Sequence, residues 1–215
     1  MMEASLVEVG RKLPKIISYG EHPDKPYAPV SILMTQIPGR DLVYRELYEQ
    51  LSEDERETAY IELHFMLEVM RKWSHPCGGE RICSVLGTAV RSSESEFNGY
   101  LFSTVSGHSF PTRVEFEEKV ETAKKLQLMH HPIVFTHGDL KHHNIMVHNG
   151  YISAFLDWES AGWYPDYWEY TTPPRFGPKG YWWTELVMTL GGEKYLAELE
   201  SEEALVELTV DSWLW

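Results

Sequence analysis

FTHGDLKHHN, residues 135–144, is the stretch that decides how this chain folds and what chemistry it carries. It continues the apolar run at residues 133–135, which predicts a short buried strand. Beyond that strand, Asp139 supplies a carboxylate and Asn144, five positions later, supplies an amide oxygen. A carboxylate and an amide oxygen thus lie close together in the sequence. The residues after Asn144 add a further oxygen-bearing side chain.

The sequence after Asn144 predicts a β-hairpin that ends in a second acidic residue. The segments IMV and YISAF flank the pair Asn149 and Gly150, which supplies the positive φ angles of a tight turn. Asn144 then begins the first strand, and Asp157 ends the antiparallel return. We therefore expect the side chains of Asp139, Asn144 and Asp157 to converge at the mouth of this hairpin.

Three converging oxygen-bearing side chains suit phosphoryl transfer. In that reaction a carboxylate orients and deprotonates the acceptor hydroxyl, while an amide oxygen and a second carboxylate hold Mg²⁺ against the nucleotide phosphates. This chemistry needs hard oxygen ligands and not cysteine or clustered histidine.

Three motifs make the chain resemble a known superfamily: HGDLKHHN at residues 137–144, LDWE at residues 156–159, and AGWYPDYWEY at residues 161–170. With them the chain resembles the protein-kinase-like superfamily, specifically the aminoglycoside phosphotransferase and choline kinase branch, and its fungal members most of all. Two motifs at matching spacing around a hairpin are a specific signal. The resemblance extends over nearly the whole chain.

The resemblance implies a role for each matching residue. Asp139 is expected to be the catalytic base, His137 to brace the catalytic loop, and Lys141 to contact the transferred phosphate. Asn144 and Asp157 are expected to be the Mg²⁺ ligands.

A second region of the chain resembles a nucleotide-binding hinge. The sequence ILMTQIPG, residues 32–39, resembles the segment that binds adenine through backbone groups. Its expected rim consists of Met34, Thr35, Gln36 and Ile37. The resemblance therefore implies ATP as a co-substrate together with Mg²⁺.

The predicted fold class is α+β and protein-kinase-like, with a truncated N-terminal lobe on a mostly helical C-terminal lobe. Residues 1–38 would be the remnant of the N-terminal lobe and the hinge, and residues 39–215 the C-terminal lobe. A complete relative carries a glycine-rich phosphate loop and a lysine that pairs with a glutamate on the first helix. Glu3 matches that glutamate, and the chain is expected to lack the loop and the lysine strand.

Local signals predict the remaining elements. Residues 13–38 read as two short strands separated by a proline-rich loop. SEDE at residues 52–55 and TRVE at residues 112–115 have the spacing of capping boxes. The first predicts a helix with a buried stripe that ends near Pro76, formed by Leu63, Met66, Leu67, Met70 and Trp73. The second predicts a helix to about Met129. RSSESE, residues 91–96, reads as an exposed turn, and the chain from Tyr181 reads as helical up to an apolar SWLW end.

Composition excludes several classes of protein. With 43% hydrophobic residues among 215, the chain has enough apolar material for a substantial core. A formal net charge of −14 repels phosphate backbones, so no nucleic-acid partner is predicted. Cys77 and Cys83 lack disulfide or metal-ligand spacing. Without a signal peptide or a long apolar run, the predicted location is cytoplasmic, with no membrane partner.

Two groups of side chains leave alternatives open. A histidine group could bind zinc, but adjacency in pairs favours a solvated loop: His130, His131, His142, His143 and His148. An aromatic group could form a platform for a ligand, but core packing around a loop is favoured: Trp158, Trp163, Tyr164, Tyr167 and Trp168.

Two functions from different classes follow. The favoured one is an ATP- and Mg²⁺-dependent phosphotransferase that acts on a hydroxyl of a small molecule. The alternative is a kinase-like fold used without phosphoryl transfer, as a cyclase or rearrangement enzyme on an apolar metabolite or as a non-catalytic binding protein. In both cases the partner is a small molecule, and the sequence identifies neither the acceptor nor the oligomeric state.

Overall fold

A computed structural model describes residues 13–20, 31–42, 45–76, 78–84, 90–176 and 180–209. The predictions for Glu3, Cys77 and the apolar C-terminal end lie outside these residues. Contacts divide the chain into two compact units: Met1–Val69 with His142–Asp157, and Met70–Lys141 with Trp158–Trp215. The predicted lobe boundary at residue 38 stays a prediction.

The strands are β1 (Ile16–Gly20), β2 (Ser31–Met34), β3 (Arg40–Asp41), β4 (Cys83–Ser84), β5 (Ile133–Thr136), β6 (Ile145–His148), β7 (Tyr151–Phe155) and β8 (Gly162–Pro165). The α-helices in the described ranges are α1 (Arg45–Glu49), α2 (Glu53–Met70), α3 (Glu94–Phe102), α4 (Arg113–Lys124), α5 (Trp168–Phe176), α6 (Trp182–Thr189) and α7 (Leu196–Leu208). Short 3₁₀ turns occupy Lys125–Leu128, His142–Asn144, Trp158–Ser160 and Gly192–Tyr195.

Among its described residues, the first unit contains two small antiparallel sheets. Strands β1 and β2 pair with each other, which confirms the two strands predicted in this region. The second sheet has the order β3-β6-β7, and its hairpin turns at Asn149 (φ 50°) and Gly150 (φ 77°). These positive φ angles are the ones that the Asn-Gly pair was expected to supply. The predicted hairpin is therefore confirmed.

Helix α2 begins at the predicted capping box. The backbone N–H of Ser52 donates to Glu55 Oε2 (2.8 Å), and the Glu55 N–H donates back to Ser52 Oγ (3.3 Å). Four members of the predicted stripe are buried: Leu63, Met66, Leu67 and Met70. The helix nevertheless ends at Met70, earlier than predicted. Trp73 lies beyond it, where its ring stacks on Phe135 (centroids 4.7 Å apart) and does not continue the stripe.

The second unit is built on the antiparallel sheet β4-β8-β5, which carries the chain into the FTHGDLKHHN stretch. Phe135 pairs with Trp163, and Thr136 pairs with Gly162. The short strand predicted at residues 133–135 is confirmed, although only its second half is buried. Thr112 caps α4 by accepting the Glu115 N–H on its hydroxyl (3.2 Å), as predicted.

The exposed turn predicted at residues 91–96 is wrong. Ser93 caps α3 there, because its Oγ accepts the N–H of Glu96 (3.2 Å), and the Glu96 carboxylate accepts the N–H of Ser92 (2.7 Å). The serine side follows the capping box of Ser-x-x-Glu, whereas the Glu96 carboxylate accepts from Ser92, the residue before the cap. The helix it opens packs Phe97 and Leu101 into the core.

His131 joins α3 to α7 from a buried position. Its Nδ1 lies 2.6 Å from Glu94 Oε1, its Nε2 lies 3.0 Å from Glu198 Oε1, and its ring packs edge-on against Tyr167. Burial alone would lower the pKa of His131, but hydrogen bonds to both carboxylates and their charges outweigh it and raise that pKa above 6.5. The solvated loop predicted for the histidines is therefore wrong for His131.

Three of the five aromatic side chains between residues 158 and 168 are core residues. Tyr164, Tyr167 and Trp168 are buried, and Tyr164 stacks on Trp168 with centroids 5.5 Å apart. Burial raises the pKa of the Tyr164 hydroxyl to about 12. For these three, core packing is confirmed, and only Trp158 and Trp163 are half-exposed.

No helix in the described part of the chain is long and apolar enough to cross a membrane.

Candidate active site

The loop that carries the proposed base starts at a glycine that no other residue replaces easily. Gly138 has a φ of 79°, in the left-handed region. A Cβ at this position would lie 2.3 Å from the carbonyl oxygen of Ser160. The HGD motif needs its glycine for both reasons: the backbone conformation and the close approach of a neighbouring chain segment.

His137 is fully buried beneath this loop. Its Nδ1 accepts the backbone N–H of Asp139 (3.3 Å), and its ring packs against Trp158 (centroids 4.6 Å apart). These are contacts of the kind that a residue bracing the loop makes, which is the role that the resemblance implies.

Asp139 and Lys141 form an ion pair. Lys141 Nζ lies 2.7 Å from Asp139 Oδ1, with 44% of the lysine and 17% of the aspartate side chain exposed. The Lys141 N–H also donates to the carbonyl of Asp139 (2.7 Å), which closes a three-residue turn around Leu140. The two expected catalytic side chains are thus held next to each other at the surface.

Glu169 holds the HGD loop, a contact that sequence reasoning missed. Its carboxylate accepts the N–H of His137 on Oε2 (2.5 Å) and the N–H of Gly138 on Oε1 (3.3 Å). Only 2% of Glu169 is exposed. It therefore supports the HGD loop from inside the protein. The only signal for it in the sequence was an acidic residue within the otherwise aromatic run YWEY.

Neighbouring groups offset only part of the effect of burial on the Glu169 carboxylate. Burial raises its pKa, while the hydrogen bonds from the His137 and Gly138 N–H groups and the charge of Arg71 act in the opposite direction without cancelling the rise. Arg71 is itself held in place, since it donates to the Asp166 carbonyl (2.7 Å) and lies over the Tyr170 ring (4.6 Å).

The expected metal ligands lie at one end of the β6–β7 hairpin in the first unit. Ile145 pairs with Phe155, and the Leu156 N–H donates to the Asn144 carbonyl (2.8 Å). Asn144 is buried, whereas Asp157 is exposed. Asp157 has a φ of 60°, an uncommon conformation for an aspartate, and such outliers cluster at functional sites.

This donor set fits Mg²⁺. Mg²⁺ prefers oxygen ligands and is usually held by one or two protein groups together with waters and substrate phosphates. Asn144 and Asp157 offer an amide oxygen and a carboxylate. Within the described ranges, no group of three or more His, Cys, Asp or Glu side chains could enclose a metal ion. The convergence of Asp139 with Asn144 and Asp157 involves both units and stays a prediction.

The expected hinge follows β2. Met34 pairs with Ile16, the Thr35 N–H donates to the Lys15 carbonyl (2.9 Å), and Thr35 Oγ1 accepts the Lys15 N–H (2.9 Å). The next two residues, Gln36 and Ile37, lie outside any strand. Of the four residues expected to bind adenine, Met34 is thus paired with Ile16 of β1, and Thr35 is hydrogen-bonded to Lys15, the residue before β1.

The profile of the phosphotransferase enzyme family APH matches residues 4–171. The chain belongs to the phosphotransferase enzyme family. No curated protein sequence matches the chain. The match to the family profile contains every residue expected to act in catalysis, adenine binding or metal binding, from Met34 to Asp157.

Solved structures show the same fold. A thermostable mutant of aminoglycoside phosphotransferase APH(4)-Ia in its apo form matches with a TM-score of 0.62 and 12% identity, over 96% of this chain and 74% of that one. A ternary complex of such a mutant with AMP-PNP and hygromycin B matches with a TM-score of 0.61 and 13% identity, over 91% and 67%. The streptomycin–ATP–APH(2")-IIa ternary complex matches with a TM-score of 0.58 and 19% identity, over 97% and 71%.

These identities are low, so the likeness concerns the fold. The predicted α+β, protein-kinase-like fold of this family member is confirmed.

Proposed function

We propose that this family member transfers the γ-phosphoryl group of ATP, in the presence of Mg²⁺, to a hydroxyl of a small molecule. The observation that carries the proposal is the Asp139–Lys141 pair, presented at the surface by a loop that buried groups hold from below. Rigid support of this kind is what a catalytic carboxylate requires, because a loosely held base loses most of its rate advantage.

In the proposed reaction, Asp139 accepts the proton of the acceptor hydroxyl. The hydroxyl oxygen forms a bond to the γ-phosphorus, and the bond between that phosphorus and the bridging oxygen breaks, so that ADP leaves. Lys141, which pairs with Asp139, would exchange that ion pair for a contact with the transferred group. Positioning and electrostatic stabilisation supply most of the rate in such a transfer.

Asn144 and Asp157 would hold Mg²⁺, which when bound supplies positive charge to the phosphate oxygens. Backbone groups of Gln36 and Ile37 would receive the adenine, since the N–H of Thr35 already donates to Lys15. The proposed adenine-binding segment thus consists of Gln36 and Ile37, two of the four residues that the resemblance implied.

The similar structures support the choice of ligands. One was solved with AMP-PNP and hygromycin B, and another with ATP and streptomycin. Each pairs an adenine nucleotide or its analogue with a second small molecule. A nucleotide and a small-molecule acceptor are therefore the ligand classes that we propose for this chain.

Calorimetric titration with Mg·ATP separates this proposal from a fold used without phosphoryl transfer. The wild-type protein should bind Mg·ATP saturably, and Asp157→Asn should weaken binding about tenfold or more, because even outer-shell partners of a metal matter by about 10–100-fold. Asp139→Asn should bind Mg·ATP normally yet lose about 10²–10⁴-fold in kcat. The exposed Asp54 provides a control, since Asp54→Asn should change neither quantity.

Two results would overturn the proposal: no binding of Mg·ATP by the wild-type protein, or full turnover by Asp139→Asn. Binding of apolar metabolites alone, with Asp157→Asn harmless, would instead support the non-phosphoryl alternative.

A further inference from the structure

Leu140 is the only residue between the proposed base and Lys141, and its peptide group determines how these two side chains are presented. Its residue exposure is 0%, so its carbonyl cannot reach water. The turn closed by the Lys141 N–H and the Asp139 carbonyl (2.7 Å) leaves the Leu140 carbonyl without a partner inside the turn. A buried carbonyl in this position needs a donor from elsewhere in the fold.

That donor is the indole of Trp183, the second residue of α6. Trp183 Nε1 donates to the Leu140 carbonyl at 2.8 Å across 43 residues of sequence. Only 2% of Trp183 is exposed, so water does not compete for this hydrogen bond. Helix α6 is thereby attached to the catalytic loop at one defined atom.

Trp183 completes a support that Glu169 begins. Glu169 accepts the N–H groups of His137 and Gly138 at the start of the loop, and Trp183 binds the carbonyl at its end. Both contacts come from buried residues of the second unit. The loop segment that carries Asp139 is therefore held on either side of the carboxylate.

We propose that Trp183 is a positioning residue for phosphoryl transfer, which fixes the peptide plane between Leu140 and Lys141 and so the direction of the Lys141 side chain. Its effect on turnover rests on the proposed function of this site. Without the indole N–H, the Leu140 carbonyl is buried and unsatisfied, and rotation of that peptide is the direct way to relieve it. Such a rotation moves Lys141 away from its 2.7 Å pairing with Asp139.

The test compares Trp183→Phe with Trp182→Phe. Trp182 is buried in the same helix, and its ring lies 5.5 Å from that of Trp183, so both substitutions remove an indole from the same region. Trp183→Phe should lower kcat about tenfold or more at an unchanged KM for ATP, because misplacement by about 1 Å is costly in catalysis. Backbone amides of residues 139–142 should also exchange hydrogen faster. Trp182→Phe should leave both quantities within about twofold of the wild type.

The proposal is overturned if Trp183→Phe leaves kcat and loop exchange at wild-type values, or if Trp182→Phe changes them equally. Should Trp183→Phe fail to fold, the wild-type protein alone decides. In it, the Trp183 indole N–H should be strongly protected from exchange in ¹⁵N NMR spectra, and rapid exchange would refute the hydrogen bond. Wild-type protein that transfers no phosphoryl group would refute the proposed function, whereas loop exchange would still decide the role of Trp183.

Discussion

Replacing Glu169 tests whether the catalytic loop is held by hydrogen bonds to a buried carboxylate. Glu169→Ala removes the acceptor of two N–H groups, those of His137 (2.5 Å) and Gly138 (3.3 Å), and leaves both donors buried. Hydrogen bonds to a charged group contribute about 1.5–3 kcal/mol each. Burial raises the pKa of Glu169, so part of the benefit of its charge is already offset by desolvation.

We therefore take the lower end of that range and expect Glu169→Ala to cost about 3 kcal/mol of unfolding free energy. For a chain of this size, about 2–4 °C of melting temperature corresponds to each kcal/mol, so the shift should be about 6–12 °C. Glu169→Gln keeps one oxygen acceptor and should lose about half as much. Glu185, an exposed glutamate in α6, is the control, and Glu185→Gln should change the melting temperature by less than about 2 °C.

The assay is thermal unfolding followed by circular dichroism, together with kcat for each variant. Activity should fall in the order wild type, Glu169→Gln, Glu169→Ala, because the loop that carries Asp139 loosens in that order. A melting temperature for Glu169→Ala within 2 °C of the wild type, on the scale of about 2–4 °C per kcal/mol, would refute the reasoning. An equal fall in melting temperature for Glu169→Gln and Glu169→Ala would also contradict the reasoning, because the stabilisation would then come from the charge alone.

Two further predictions concern stability. Gly138→Ala should destabilise at least twice as much as Gly180→Ala in thermal unfolding. Both have positive φ (79° and 74°), which costs about 1–2 kcal/mol, but only at Gly138 would a Cβ meet a backbone oxygen, that of Ser160 at 2.3 Å. If the two substitutions lowered the melting temperature equally, the close contact between position 138 and the Ser160 carbonyl would be refuted. The pKa of His131 is raised above 6.5 in the folded protein, so its contribution is fully present below that pH and is lost as pH rises through the folded pKa. Urea titrations between about pH 6 and 9 should show this loss in the wild type and in the exposed-neighbour variant His130→Gln, but not in His131→Gln. If the unfolding free energy of His131→Gln still fell over this pH range, the loss would come from another titrating group.

Local signals in the sequence were sufficient for most of the elements. The capping boxes at Ser52 and Thr112 and the Asn149–Gly150 turn were predicted, and each is present. The hydrogen bonds that stabilise a cap or a turn lie within about four residues, because each needs only its own side chain and nearby backbone groups. The cap at Ser93 obeys the same rule and was misread as an exposed turn only because its run is so polar.

The distant partners of buried polar groups could not be read from the sequence in the same way. Glu169 meets His137 across 32 residues, Trp183 meets Leu140 across 43, and His131 meets Glu198 across 67. A glutamate in a helix, a tryptophan in an aromatic run and a histidine in a pair have many possible environments. Which one each adopts depends on the packing of the whole unit.

By itself, the sequence determined which reactive groups the chain carries and the short-range backbone geometry around them, from HGD through Asn144 to Asp157. Only the tertiary structure decided which buried partners hold those groups. The physical reason is that burial removes water, after which each polar atom must find a donor or acceptor among distant residues that the fold brings within about 3 Å.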